Sequence, residues 1–279
     1  PSKIAIYGTG AIGLEMASFF ATAGVEVTLI DRKDNLLKDA HARITKAMKT
    51  QLEKLGVKLL VNHPITAAKS TKKGVHITFA DKSNIYMPTL LVATGRKANT
   101  DVIACEDIEV DKAINTDAFF ETSLAQHYAI GDCNGKVQLA HAARAEVLNV
   151  TQQILGLKPR MLNLEHVVKF IHTLPMSYAV VGKTKIQLQK DNIEYKESLV
   201  PLSQYVYSTY NDAQEGLMIS YVDANGFIIG AEIFAPNAEE LIATVAMSLA
   251  GEMDVAQAKR TILAHPTFSE ALERTFYKL

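Results

Sequence analysis

The sequence predicts an α/β fold class in two differently built parts. Three observations predict it. Lys3 to Ile30 reads as strand, glycine turn, helix and strand, the βαβ unit of a parallel sheet. Val180 to Ile233 instead holds short apolar runs, with Asp223-Ala224-Asn225-Gly226 as a hairpin turn, the pattern of an antiparallel sheet. Between them, Ala140 to Leu155 reads as one strong helix, ended by Gly156 with Pro159 beyond.

The elements follow in order. Lys3 to Tyr7 is a short apolar strand, and Gly8 to Gly13 turns into a helix over Ile12 to Ala23. Gly24 stops that helix, and Val25 to Ile30 is a second strand ending at Asp31. Arg43 to Leu55 is an amphipathic helix closed by Gly56. Val57 to Val61, Gly74 to Phe79 and Asn84 to Met87 read as strands, and Leu90 to Ala93 as a buried one ending in Thr94-Gly95-Arg96. Asn99 to Phe120 reads as short strands and turns, and Tyr128 to Ile130 as a strand ending at Gly131-Asp132. Val180 to Gln189, Leu199 to Leu202, Leu217 to Val222 and Phe227 to Ile233 are the expected antiparallel strands. Helices over Ala238 to Ala250 and Val255 to Ile262 follow. The polar, proline-containing stretch from Leu157 to Leu164 is the expected boundary between domains.

The chain has 279 residues, 48% of them hydrophobic, enough for a sizeable core in about two domains. A net charge of −1 without a basic block argues against nucleic acid or a membrane surface as partner. Apolar stretches such as Leu241 to Leu249 carry polar residues and fall short of a membrane span. The chain starts Pro-Ser-Lys and enters a strand at once, so no signal peptide is expected, and the missing initiator Met points to a trimmed longer protein. Cys105 and Cys133 lie far apart in no metal-like or CxxC spacing, so no metal site is expected. Free thiols fit a reducing, cytoplasmic setting.

Two groups of residues carry chemistry. Gly8, Gly10 and Gly13 follow a strand and open a helix, as a dinucleotide fingerprint requires: a tight turn, a close approach for the pyrophosphate, and close helix–strand packing. The helix amino end then faces the phosphates. Asp31 ends the second strand, where a carboxylate accepts from the adenosine ribose and favours NAD over NADP. Arg32, Lys33 and Lys38 lie nearby, and cations there could instead hold a 2′-phosphate or be an ordinary solvated surface. Glu15 sits in the first turn of the same helix, as a dipole partner or beside a bound nicotinamide. Near the other end, His265 is followed by Pro266, which restricts the backbone, and Glu270 lies five positions on at a helix start. That pattern suits a held acid/base. Thr267-x-x-Glu270 is also a capping box, in which the carboxylate would reach back to the cap N–H rather than orient His265.

Several separated segments, in order, resemble one family. They are Gly8–Gly13 with Glu15, Val92-Ala93-Thr94-Gly95-Arg96, Thr122 followed by Tyr128-Ala129-Ile130-Gly131-Asp132, and Leu139-Ala140-His141-Ala142. Val181-Gly182-Lys183-Thr184, Ala235 to Leu241 and His265-Pro266-Thr267 with Ser269-Glu270 complete the set. The chain resembles the pyridine nucleotide–disulfide oxidoreductases, and within them the dihydrolipoamide dehydrogenase branch. The resemblance implies a Rossmann-like NAD-binding domain over 1–96, the C-terminal part of an FAD-binding core over 97–160, and an α+β dimerisation domain over 161–279. It implies that Gly95 lies beside NAD and Glu15 near the nicotinamide. Asp132 would meet the FAD ribityl–phosphate region, and Ala140 the flavin through backbone groups. His265 would be the acid/base for a substrate thiol, oriented by Glu270 and serving the partner subunit of a homodimer.

The implied activity is oxidation of a dithiol such as a lipoyl group, with NAD⁺ as acceptor, through a redox disulfide and FAD. Soluble pyridine nucleotide transhydrogenase, a glutathione-type reductase and a non-catalytic NAD-binding dimerisation module are the alternatives. The sequence also departs from the family pattern. The FAD-binding Rossmann domain and its Cys-x4-Cys pair are not in it, so the chain alone is expected to be inactive as a disulfide reductase. Ala11 stands where a tyrosine is frequent, Thr173-Leu174-Pro175-Met176 where His-Pro-Glu is usual, and Leu263 where a further histidine is frequent. An Arg-Ala pair is missing around Tyr205 to Asp212.

Overall fold

The structure is a computed structural model that describes every residue except Asn35. Strand β1 (Lys3–Tyr7) leads through the glycine turn into helix α1 (Ala11–Thr22), and Gly24, at φ +81°, turns the chain into β2 (Glu26–Ile30). Helix α2 (Ala42–Lys54) buries Ile44, Met48, Gln51 and Leu52 on one face and is followed by β3 (Lys58–Leu60). Then come β4 (Ile65–Thr71), β5 (Gly74–Phe79), β6 (Asn84–Met87) and β7 (Leu90–Val92). Strands β3, β2, β1 and β7 form a parallel sheet in that order, and β4, β5 and β6 an antiparallel meander. Strand β4 was not expected. Six of its seven residues are exposed, so no apolar alternation marks it, and pairing with β5 makes it a strand.

Helix α3 (Ala140–Ile154) agrees with expectation to within a residue. The preceding stretch does not. The strands expected within Asn99 to Phe120 and over Tyr128 to Ile130 reduce to isolated bridges, Val110 to Ile114 and Glu121 to Tyr128. Local side-chain bonds replace the ladder: Asp117 Oδ1 accepts from the Phe119 and Glu121 N–H groups.

The remaining chain holds β8 (Lys169–Ile171), β9 (Ser177–Gly182), α4 (Lys185–Lys190), β10 (Tyr195–Pro201), α5 (Val206–Tyr210), β11 (Leu217–Asp223) and β12 (Ile228–Ala235). Helices α6 (Ala238–Ala250), α7 (Val255–Ala258) and α8 (Ser269–Tyr277) end it. The five strands form an antiparallel sheet ordered β10, β11, β12, β9, β8. The strand expected over Val180 to Gln189 is instead the end of β9 plus α4. Gly182, at φ +69°, breaks the strand, and Thr184 with Gln187 forms a full capping box. The hairpin turn is as expected: Gly226 N–H bonds Asp223 O, and Asp223 Oδ1 accepts from Asn225 and Phe227 N–H.

The described chain divides into two compact units, one of Pro1–Thr94 with Val168–Leu279 and one of Gly95–Val167. In the first unit a single apolar cluster runs from Ile6, Leu14, Leu29 and Met48 to Met176, Ile219, Phe234 and Val245. Each such side chain contributes about 1.5–3 kcal/mol when fully buried. Buried polar groups tie α2 to the antiparallel sheet across this core. Gln51 donates to Thr173 Oγ1 and to Met176 O, and accepts from Met176 N–H. Glu232, fully buried, accepts from Tyr221 OH at 2.8 Å and from Tyr178 OH and His41 N–H at 2.9 Å. His41, the N-cap of α2, also faces Glu197 at 3.4 Å, and Lys185 reaches the same carboxylate at 3.0 Å.

Candidate active site

The three fingerprint glycines have three different surroundings. Gly8 has φ +117°, and a Cβ there would lie 2.4 Å from Ala93 O on the turn after β7. A Cβ on Gly13 would lie 1.8 Å from Gly8 O. Neither position has room for a side chain. A Cβ on Gly10 meets nothing within 4 Å, so its backbone is open to an approaching ligand. Gly10 is also the N-cap of α1 and supplies no side-chain cap, so the helix amino end keeps unpaired donors. This open turn before an uncapped helix fits a pyrophosphate.

Asp31 sits at the end of β2 beside that loop. Its Oδ2 accepts from the Thr9 N–H and hydroxyl, both at 2.8 Å, and its Oδ1 from Lys33 N–H at 2.9 Å. Partial burial works against its charge, but these bonds outweigh it and hold the carboxyl below its usual 3.8. Glu15 lies just past the first turn of α1 rather than in it, because the helix starts at Ala11. Its carboxylate accepts from His172 N–H at 2.9 Å, at the end of β8.

Gly95, Asp132 and Ala140 all lie in the second compact unit. Gly95 has φ +137° and open space where a Cβ would point. Asp132 is exposed, in a 3₁₀ turn over Gly131–Asn134. Arg96 holds it at 2.7 Å and donates to Gln138 O at 2.8 Å. Ala140 is exposed at the start of α3, where Leu139 gives no side-chain cap. Buried Glu146 of α3 fixes the turn, accepting from Gly131 N–H at 2.7 Å and Asn134 Nδ2 at 2.9 Å. An exposed carboxylate and an uncapped helix start suit a cofactor's hydroxyls and polar ring edge.

His265 and Glu270 meet. His265 Nδ1 lies 2.7 Å from Glu270 Oε1. Thr267 N–H donates to Glu270 Oε2 at 2.9 Å, whereas the Thr267 hydroxyl donates to Ala264 O. Only half of the capping box forms, and the two oxygens of one carboxylate divide the two tasks. Slight burial opposes ionisation of Glu270, but the bonds from His265 and Thr267 overcome it and lower its pKa below 4.5. A carboxylate only accepts, so Nδ1 carries the hydrogen, and in the neutral ring Nε2 holds the free lone pair. The ring is 80% exposed and open to a substrate. Helix α8 anchors the pair through buried Leu272, Thr275 and Phe276. Tyr205 OH donates to Glu270 O at 3.4 Å, and Tyr207 packs edge-on against Phe268. The peptide between His265 and Pro266 is cis.

Thr9, Arg96 and Glu146 were not singled out from the sequence. Thr9 and Arg96 stand inside quoted motifs, and their partners lie 22 and 36 residues away. Among the described residues no group of three or more His, Cys, Asp or Glu could hold a metal, and no helix is long and apolar enough to cross a membrane.

Comparison with known proteins gives the family. Residues 1–146 match the family model for pyridine nucleotide-disulphide oxidoreductases, and residues 168–276 the dimerisation domain of that family. Dihydrolipoyl dehydrogenase 1 of Arabidopsis thaliana mitochondria is 31% identical over 283 residues, covering 98% of this chain and 55% of the relative. Dihydrolipoyl dehydrogenase of Chlamydia pneumoniae is 29% identical, covering 97% of this chain and 59% of the relative. Leghemoglobin reductase of Vigna unguiculata is 30% identical, covering 98% and 54%. The chain thus spans little more than half the length of these relatives. LpdA from Mycobacterium tuberculosis shares the fold with a TM-score of 0.93 at 23% identity, over 100% of this chain and 61% of that one. The HOCl-induced flavoprotein disulfide reductase of Escherichia coli has a TM-score of 0.90 at 23% identity, over 99% of this chain and 65% of that one. The chain belongs to the pyridine nucleotide–disulphide oxidoreductase family.

Proposed function

We propose that this chain works within a longer homodimeric flavoprotein that oxidises a protein-bound dithiol, such as a dihydrolipoyl group, with NAD⁺. The observation that carries the reading is the 2.7 Å contact between His265 Nδ1 and Glu270, which leaves Nε2 as an exposed base. In this reading residues 1–96 hold NAD, 97–160 complete the FAD site and 161–279 form the dimerisation domain.

His265 Nε2 takes the proton of a substrate thiol, and the resulting thiolate attacks an enzyme disulfide. Glu270 keeps the ring oriented and balances the imidazolium that forms. That disulfide comes from outside these 279 residues, because Cys105 and Cys133 are free and lack the spacing of a redox pair. Asp132 and the Ala140 end of α3 are the groups that would hold FAD, which would supply a two-electron link between the dithiol and NAD⁺. Gly8, Gly10 and Gly13 hold the NAD pyrophosphate, Asp31 its adenosine ribose, and Glu15 borders its nicotinamide end.

The test separates the half-reactions. In the full-length protein, His265→Gln should slow oxidation of dihydrolipoamide by orders of magnitude and spare electron transfer from NADH to a dye. Equal loss of both activities would sink the assignment of His265. The 279 residues alone should show no flavin-dependent turnover of dihydrolipoamide.

A further inference from the structure

We propose that Thr9 is a specificity-determining residue of the nucleotide site, holding Asp31 in place so that the site takes NAD and rejects a 2′-phosphate. The proposal rests on the NAD reading above and deepens it.

Two opposite signals stand close together in the sequence after β2. Asp31 is a carboxylate, whereas Arg32, Lys33 and Lys38, all exposed, are cations within seven positions of it. An aspartate at a strand end can turn about χ1. If Asp31 swung away, the three cations would make a favourable setting for the 2′-phosphate of NADP. Asp31 is not free to swing. Thr9 donates to Oδ2 twice, from its N–H and its hydroxyl, each at 2.8 Å. Lys33 N–H holds Oδ1 at 2.9 Å. Thr9 is only 6% exposed, so water competes weakly for its hydroxyl.

The acceptor count gives the consequence. A carboxylate has about four lone-pair sites, two per oxygen. Oδ2 is committed to Thr9, and the Lys33 N–H is held at Oδ1. A ribose hydroxyl must therefore meet the carboxylate at Oδ1. A phosphate has no hydrogen to offer there at neutral pH and brings charge against charge. Thr9 also stands between Gly8 and Gly10, so the pyrophosphate turn and the ribose carboxylate are held as one piece.

The experiment measures dissociation constants for NADH and NADPH by fluorescence titration at one ionic strength, in the full-length protein. Wild type should prefer NADH. Thr9→Val keeps the shape and the N–H but loses the hydroxyl, and should narrow the preference roughly tenfold, as expected for a hydrogen bond to a charged group. Thr9→Ser should restore most of it. In an Asp31→Asn background Thr9→Val should not change the ratio further. Thr9→Ala gives the same comparison if the valine variant does not fold. An unchanged ratio on losing the hydroxyl, with NADH still bound, overturns the role of Thr9 and leaves the NAD reading standing. A wild type that prefers NADPH, or binds neither nucleotide, overturns the NAD reading and the proposal together.

Discussion

Two glutamates of this chain each hold a histidine, and they do opposite work. Glu232 lies on the antiparallel sheet where it meets the start of α2, with no exposed surface. It receives three hydrogen bonds from three elements, one of them the His41 N–H at the start of α2. Glu270 lies at the start of α8, near the surface, and holds one ring nitrogen of an exposed histidine. Burial raises the pKa of Glu232 above 4.5, although its hydrogen bonds oppose the rise. Around Glu270 the balance reverses and the pKa is lowered. The same pair of residue types is a structural joint in one place and, in the function proposed above, a chemical device in the other. Burial decides between them, because a charge sealed from water can be held but cannot meet a substrate.

The largest expected effect is on chemistry. His265→Gln should lower dithiol oxidation by the full-length protein by about 10²–10⁴-fold, the usual worth of a positioned acid/base. Its thermal midpoint should not move, since the ring is 80% exposed. A steady-state assay beside a melting curve checks both, and a large drop in the melting temperature would erase the contrast with Glu232.

Glu232→Ala should show the reverse pattern. It strands the Tyr178 and Tyr221 hydroxyls and the His41 N–H in the core. The cost should be about 3–5 kcal/mol of stability, read from urea unfolding. A cost below about 1 kcal/mol would mean that water or neighbouring groups replace the carboxylate, and that the joint is not tight.

Glu270→Gln should fall between. It keeps an oxygen for Thr267 N–H but loses the negative charge beside His265. Dithiol oxidation should fall about ten- to a hundredfold. An unchanged rate would show that Glu270 only starts the helix.

The smallest effect separates the two carboxylates by the sign of their pH dependence. Glu232 binds its proton more tightly folded than unfolded, so its contribution is complete below about pH 4.5 and is lost as pH rises through its raised value. Glu270 binds its proton less tightly folded, so its contribution is present above about pH 4.5 and is lost as pH falls through its lowered value. Unfolding curves across this range for Glu232→Gln and Glu270→Gln should therefore depart from wild type with opposite slopes. Slopes of one sign would contradict the contrast.

Much was legible before any fold was known, where the signal was local. The βαβ opening, α3, α6 and the Asp223–Gly226 turn follow from glycine placement and apolar period, which depend on neighbours a few residues apart. The His265-Pro266 pair and Glu270 were visible for the same reason. Strand β4 was not, because its exposed residues are strand only by pairing with β5. Thr184 and Gln187 did carry a local sign, a capping box, that an apolar run around them concealed.

The sequence by itself determined the fingerprint loop, the order of the halves and the residue types at both candidate sites, because each is encoded within a short window. Tertiary structure decided how those residues are used. Thr9 meets Asp31 across 22 positions, Glu15 meets His172 across 157, and His41 meets Glu232 across 191. No periodicity carries such pairings. They exist because the core brings the two ends of the chain together and each polar group enclosed there must find a partner.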